Sequence, residues 1–189
     1  LLEYARGLSG KTLAEAIDML AVSETITNKG DLGNMVERYY YRYQPDNTTH
    51  KPDFPEAGVE LKTTGVLRRS DGSYKAKERL VLTMINYINI VDEEWGNSSL
   101  IEKCRLMLIL FYLYEKGVAV FDRRFVLHPL LFEFPADDLE IIKRDWNTIR
   151  QKIIDGKAHE LSEGDTYYLG ACRKGSGGES EKLKKQPFS

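Results

Sequence analysis

Leu106 to Tyr114 are nine consecutive apolar or aromatic residues, the longest such run in the chain. The run is too short to span a bilayer. It suits a buried central strand, and a strand buried on both faces needs its sheet covered on both sides. Helices must therefore be found elsewhere in the sequence to supply the cover. The chain has 189 residues, 42% of them hydrophobic, which is enough material for one domain with a core of its own.

Two helices are predicted upstream. Thr12-Leu13-Ala14-Glu15 has the form of a capping box and opens a helix to about Ala21, with Leu13, Ala16, Ile17 and Leu20 on one face. A second runs from about Asp31 to Tyr43, with Leu32, Val36, Tyr39, Tyr40 and Tyr43 at helical spacing. That spacing puts Tyr39, Tyr40 and Tyr43 in the core and turns Tyr41 outward. Residues 44–56 read as a loop. A long stripe of Leu139, Ile142, Trp146, Ile149 and Ile153 predicts a third helix, ending before Gly156.

Strands are predicted at four further places. Residues 57–64 alternate, so Val59 and Leu61 face one way while Glu60 and Lys62 face the other. Asp71-Gly72 is a hairpin signal leading to a strand from about Arg79 to Tyr87. Val118 to Leu127 and Thr166 to Ala171 also read as strands. The sum is a mixed sheet with helices packed on it, one α/β domain over residues 1–189. The first residue is Leu rather than Met, so the sequence is expected to be a fragment of a longer chain.

Charge and cysteine usage exclude several classes. The formal net charge is -2, so any nucleic-acid site must come from local charge. Two segments supply it. Residues 66–79 carry Arg68, Arg69, Lys75, Lys77 and Arg79 against Asp71 and Glu78; the tail carries Arg173, Lys174, Lys182, Lys184 and Lys185 against Glu179 and Glu181. Cys104 and Cys172 are far apart, and His50, His128 and His159 are not paired at ligand spacing. This argues against a zinc site or a disulfide scaffold and predicts a reducing cytoplasm, with no membrane segment.

The chemistry concentrates in Lys51-Pro52-Asp53-Phe54-Pro55-Glu56-Ala57-Gly58-Val59-Glu60-Leu61-Lys62. Asp53 at the start of a strand and Glu60 on it can converge on one hard cation, which takes oxygen ligands. The Leu61 carbonyl can be a further ligand. Lys62 shares the face of Glu60, where its amine can orient or deprotonate a water or stabilise developing negative charge. The bare spacing also occurs by chance, as a solvated strand face with a carboxylate–lysine pair of little worth. Glu37 adds weight as a third carboxylate. Gly33 stands one turn before it, so nothing bulky covers the carboxylate, and a helical glycine costs roughly 1 kcal/mol against alanine.

These motifs together resemble the MutH and Sau-type GATC endonuclease family of the PD-(D/E)xK nuclease superfamily. Gly30-x-x-Gly33-x-x-x-Glu37 is similar to its first catalytic helix, and Ala57-Gly58-Val59-Glu60-Leu61-Lys62-Thr63 to its metal-binding strand. Lys77-Glu78-Arg79-Leu80-Val81-Leu82, Gly156-Lys157-Ala158-His159 and Gln186-Pro187-Phe188-Ser189 look closer to the Sau-type enzymes. The resemblance implies a restriction-endonuclease-like fold and magnesium-dependent hydrolysis of double-stranded DNA at GATC. Asp53, Glu60 and Glu37 would be the metal ligands. It implies a further active-site lysine before the central strand, Lys103, with Arg105 as the fallback. Arg173, Lys174, Gly175 and Ser176 fall where the family reads bases, and Arg68 and Arg69 are the other expected DNA contacts.

The family's chain continues beyond the recognition loop, and Sau-type enzymes carry a second, similar domain. A second domain or a dimer partner is therefore expected for double-strand cleavage. A mismatch-repair nicking enzyme and a non-catalytic GATC-binding effector are the alternative readings.

Overall fold

A computed structural model describes residues 1–17, 31–44 and 51–171. They form two compact units. The first comprises Leu1–Leu82 and Lys103–Glu133; the second takes up Thr83–Glu102 and the chain from Phe134 onward. Along the chain the main elements are α1 (Leu2–Ala5), α2 (Leu13–Ala16), α3 (Asp31–Met35), β1 (Glu60–Arg68), β2 (Tyr74–Ala76), α4 (Ser99–Cys104), β3 (Leu106–Leu113), β4 (Leu130–Glu133) and α5 (Ala136–Ile154).

The first unit is built on a four-stranded sheet in the order β2-β1-β3-β4. β1 and β3 run parallel, with Glu60 opposite Met107 and Lys62 opposite Ile109. The outer pairings, β1 with β2 and β3 with β4, are antiparallel. The sheet is therefore mixed, as the sequence predicts. The apolar run is its central strand, and Met107, Leu108, Ile109, Leu110 and Tyr112 are all buried. On one face Leu108, Leu110 and Tyr112 join Leu61, and the helical residues Leu8, Leu13, Leu32, Met35 and Val36 pack over them.

The second unit is organised by α5, whose Ile142, Trp146, Ile149 and Ile153 are buried, as the stripe predicts. The Trp95 ring lies 5.9 Å from that of Trp146. Arg150 Nε donates to the Ile90 carbonyl at 3.0 Å. Gly156 follows the helix at φ +73°, a conformation that favours glycine.

Several local expectations are corrected. The capping box forms, but α2 stops at Ala16, where Ile17 turns extended; Leu20 and Ala21 lie outside the described residues. The second helix changes character after Met35. Val36–Tyr40 form a π-helical turn, which ends at Tyr41. The turn's extra residue breaks the 3.6-residue register, so Tyr41 is turned in, not outward. Its ring lies 4.9 Å from Phe54 and 5.4 Å from Tyr40, and burial lifts its phenol well above the ordinary tyrosine range.

The Asp71-Gly72 hairpin is real, but it returns at once as β2. Arg69 N–H donates to Ser73 O at 2.8 Å, and Gly72 sits at φ +84°. The pairing ends just after Lys77 N–H donates to Gly65 O at 2.9 Å, and no strand forms over residues 79–87. Val118–Leu127 is not a strand either. Gly117 turns the chain at φ +86°, Val120–Asp122 form a 3-10 turn, and only isolated bridges form, Arg124 with Thr12 and Phe125 with Tyr112. The strand that flanks β3 comes later, as β4. The predicted strand at Thr166–Ala171 is replaced by a turn, whose amides donate to a side chain instead of a ladder.

Candidate active site

A short turn brings the first two carboxylates together. Phe54 and Val59 exchange backbone hydrogen bonds of 2.9 and 3.2 Å, and Gly58 sits between them at φ +62°. The chain thus doubles back and sets Asp53 beside the start of β1. Backbone amides from each side of the turn then hold both carboxylates. Asp53 N–H donates to Glu60 Oε2 at 3.1 Å, and Leu61 N–H donates to Asp53 Oδ2 at 2.9 Å. Leu61 points into the core, which sends Glu60 and Lys62 to the other face.

Two lysines meet Glu60 there. Lys62 Nζ lies 2.8 Å and Lys103 Nζ 3.5 Å from Glu60 Oε1. Lys62 comes from β1 itself. Lys103 comes from the last turn of α4, immediately before the central strand. Arg105, the alternative in the sequence, is exposed.

Glu37 completes the cluster from the π-helical turn. It is only 4% exposed, and its Oε1 has no hydrogen-bond partner. Burial pushes its carboxyl up to about 8, and the neighbouring carboxylates of Asp53 and Glu60 push in the same direction. Glu60 is also raised, by burial first, with Lys62 pulling the other way. Gly33 is half-buried near Thr63. A Cβ built there would meet Thr63 Oγ1 at 3.7 Å, an ordinary contact, so the packing of this chain does not itself require the glycine.

Among the described residues no three His, Cys, Asp or Glu side chains form a ready-made metal cage. The donor chemistry nevertheless fits a hard divalent cation. Glu37, Asp53 and Glu60 offer only oxygen, and one buried carboxylate oxygen of Glu37 is unsatisfied. Burial first, and then the neighbouring carboxylates, keep Glu37 protonated at neutral pH, and a cation among these carboxylates would offset both.

Other candidates lie elsewhere. Arg68 and Arg69 are exposed at the far end of β1, about 26 Å from Glu60 by strand rise. Arg173, Lys174, Gly175 and Ser176 lie outside the described residues. Cys104 is buried, and burial first of all lifts its thiol to about 11, which leaves it inert as a nucleophile. His159 is exposed in the second unit, beside Glu160 at 3.6 Å. No helix among the described residues is long and apolar enough to cross a membrane.

The sequence carries the marks of known nucleases over most of its length. A profile described as "DNA mismatch repair enzyme MutH" matches residues 41–145. The type II restriction enzyme Sau3AI of Staphylococcus aureus is 41% identical over 164 residues, which cover 86% of this chain and 32% of that enzyme. The MutH proteins of Shewanella baltica (strain OS185) and Serratia proteamaculans (strain 568) are 27% and 26% identical over 165 residues. Those matches cover 86% of this chain and 71% and 69% of theirs. The chain thus spans about a third of the restriction enzyme and over two thirds of the mismatch-repair proteins. It belongs to the MutH and Sau3AI-like family of DNA endonucleases.

Proposed function

We propose that this chain is the catalytic domain of a magnesium-dependent type II restriction endonuclease, which hydrolyses phosphodiester bonds of double-stranded DNA at GATC. The observation that carries this reading is the meeting of Glu37, Asp53 and Glu60 with the ammonium groups of Lys62 and Lys103. Asp53, Glu60 and Glu37 would hold the magnesium, which when bound supplies Lewis-acid charge beside the scissile phosphate.

The remaining work falls to the chain. Lys62 and Lys103 both reach Glu60 Oε1, so two fixed positive charges stand where negative charge grows on the phosphate. Lys62 would also orient the attacking water. Backbone N–H groups hold Asp53 and Glu60, so neither carboxylate must reorganise when DNA arrives. The restriction reading rests on the higher identity to Sau3AI. The substrate sequence rests on the likeness of several separate motifs to the Sau-type enzymes.

The matches to MutH proteins favour one second reading, a strand-nicking enzyme. Supercoiled plasmids with and without GATC, incubated with magnesium, separate the two. Linear product from the GATC plasmid alone supports restriction, and persistent open circles support nicking. No product at saturating binding would make the chain a DNA-binding effector. Asp53→Ala is expected to abolish cleavage while leaving the circular dichroism spectrum unchanged; cleavage at the unmutated rate refutes the site.

A further inference from the structure

Arg42 stands at φ +56°, and among the described residues it is the only one other than glycine at positive φ. A side chain there is strained, and the left-handed residue that closes a helix is usually glycine. The strain has a visible product. Tyr41 N–H donates to Val36 O and Tyr43 N–H donates back to Glu37 O, both at 2.9 Å. The tyrosines on either side of Arg42 are thereby turned onto one ring. Phe54 is 4% exposed, and its ring lies 4.9 Å from that of Tyr41 and 5.3 Å from that of Tyr43.

Phe54 is the neighbour of Asp53 in sequence. With Val59 it closes the turn that sets Asp53 beside Glu60. Glu37 belongs to the π-helical turn that Tyr41 and Tyr43 close. The three acids therefore ride on two separate turns. Among the described residues no backbone hydrogen bond joins those turns. Apart from the carboxyl groups themselves, what joins them is the contact of the three rings, with the Tyr43 hydroxyl donating to Glu56 Oε2 at 3.1 Å. Magnesium demands a near-ideal arrangement of its oxygen ligands. A strained backbone persists where its surroundings over-determine it, and such places cluster at ligand clamps.

We propose that Phe54 is a positioning residue for the metal site: Tyr41 and Tyr43 grip its ring, and the grip sets Glu37 at its place beside Asp53 and Glu60. Phe54 has no donor of its own to offer a cation, so it acts through the two turns it joins. Preset ligands bind without the cost of being gathered first. This rests on the proposed function, and in particular on the three acids as the magnesium ligands.

Phe54→Leu keeps an apolar side chain but removes the ring. Magnesium titrated into the chain alone, followed by isothermal titration calorimetry, is expected to show a Kd raised about tenfold. The magnesium concentration for half-maximal cleavage of a GATC plasmid should rise in parallel, with the rate at saturating magnesium changed far less. Tyr41→Leu is expected to do the same, and Tyr41→Phe, which keeps the ring, to bind magnesium as the unmutated chain does. Rings that only stabilised the fold would lower Tm and leave the magnesium Kd unchanged, and that result overturns the proposal. So does a fall in cleavage rate that saturating magnesium does not restore.

Should neither leucine variant fold, the unmutated chain still decides. Coupling is reciprocal, so saturating magnesium is expected to slow amide exchange at Tyr43, whose N–H closes the turn on Glu37. Unchanged exchange there overturns the positioning role. Asp53→Ala separates this role from the function beneath it. If that variant binds magnesium as tightly as the unmutated chain, the acids do not hold the metal and both readings fall. If it weakens binding while Phe54→Leu does not, only the positioning role falls.

Discussion

Glu37 is the residue with most to say about conditions. Its carboxyl titrates near 8 in the folded chain against an ordinary 4.5. Between those values the folded chain holds a proton that the unfolded chain has lost. The stability this confers is complete below about 4.5 and is lost as pH rises toward about 8. With a chelator present, the Tm of the chain is therefore expected to fall across that window. Glu37→Gln cannot ionise, and should flatten the fall; an equally steep profile in the variant would assign the pH dependence elsewhere. Cys104 offers a second probe at this scale. Its buried thiol, lifted to about 11, is almost wholly protonated at neutral pH. In a Cys172→Ser background, a disulfide reagent should label it only at the rate of global unfolding. Rapid labelling without denaturant would contradict the burial.

β3 carries the sheet. Leu110 is 1% exposed on the face packed by the helices, so Leu110→Ala is expected to cost about 2–5 kcal/mol in urea unfolding. A loss near zero would mean that the face is not packed as described. This strand was legible because an unbroken apolar run has few other uses in a chain of this size. α5 was legible because its period is long and clean. The misreadings share a cause: pattern reports which side chains suit a strand, not whether a partner edge is free. Residues 79–87 and 118–127 are rich in strand-forming types, but the first form no ladder and the second form a 3-10 turn and isolated bridges instead. At Thr166–Ala171 a buried acid from α5 takes the amides. Tyr41 was misplaced because a π-helical turn has no signature in a 3.6-residue pattern.

At the scale of the whole molecule, charge and topology govern what can be seen from sequence. The pair of Asp53 and Glu60 was readable because alternation and a short return lie within one stretch of chain. The place of Lys103 depends on the parallel register of β1 and β3, which no local spacing encodes; only the family resemblance pointed to it. With a net charge of -2, the molecule has no overall field to draw in DNA, so binding must rest on discrete phosphate contacts. Affinity for a GATC duplex should then fall steeply as salt rises, and a flat response would remove the basic segments from the interface.

The turn closed by Phe54 and Val59 also sets an order of events. Asp53 meets Glu60 across a loop of a few residues, which costs little to close, whereas Lys103 must arrive from more than forty residues away. In refolding from urea, protection of the Leu61 amide should therefore appear before cleavage activity returns. On the proposed function, a newly made chain would pair Asp53 with Glu60 well before Lys103 joins them, and the parallel strand pairing would act as the safety catch.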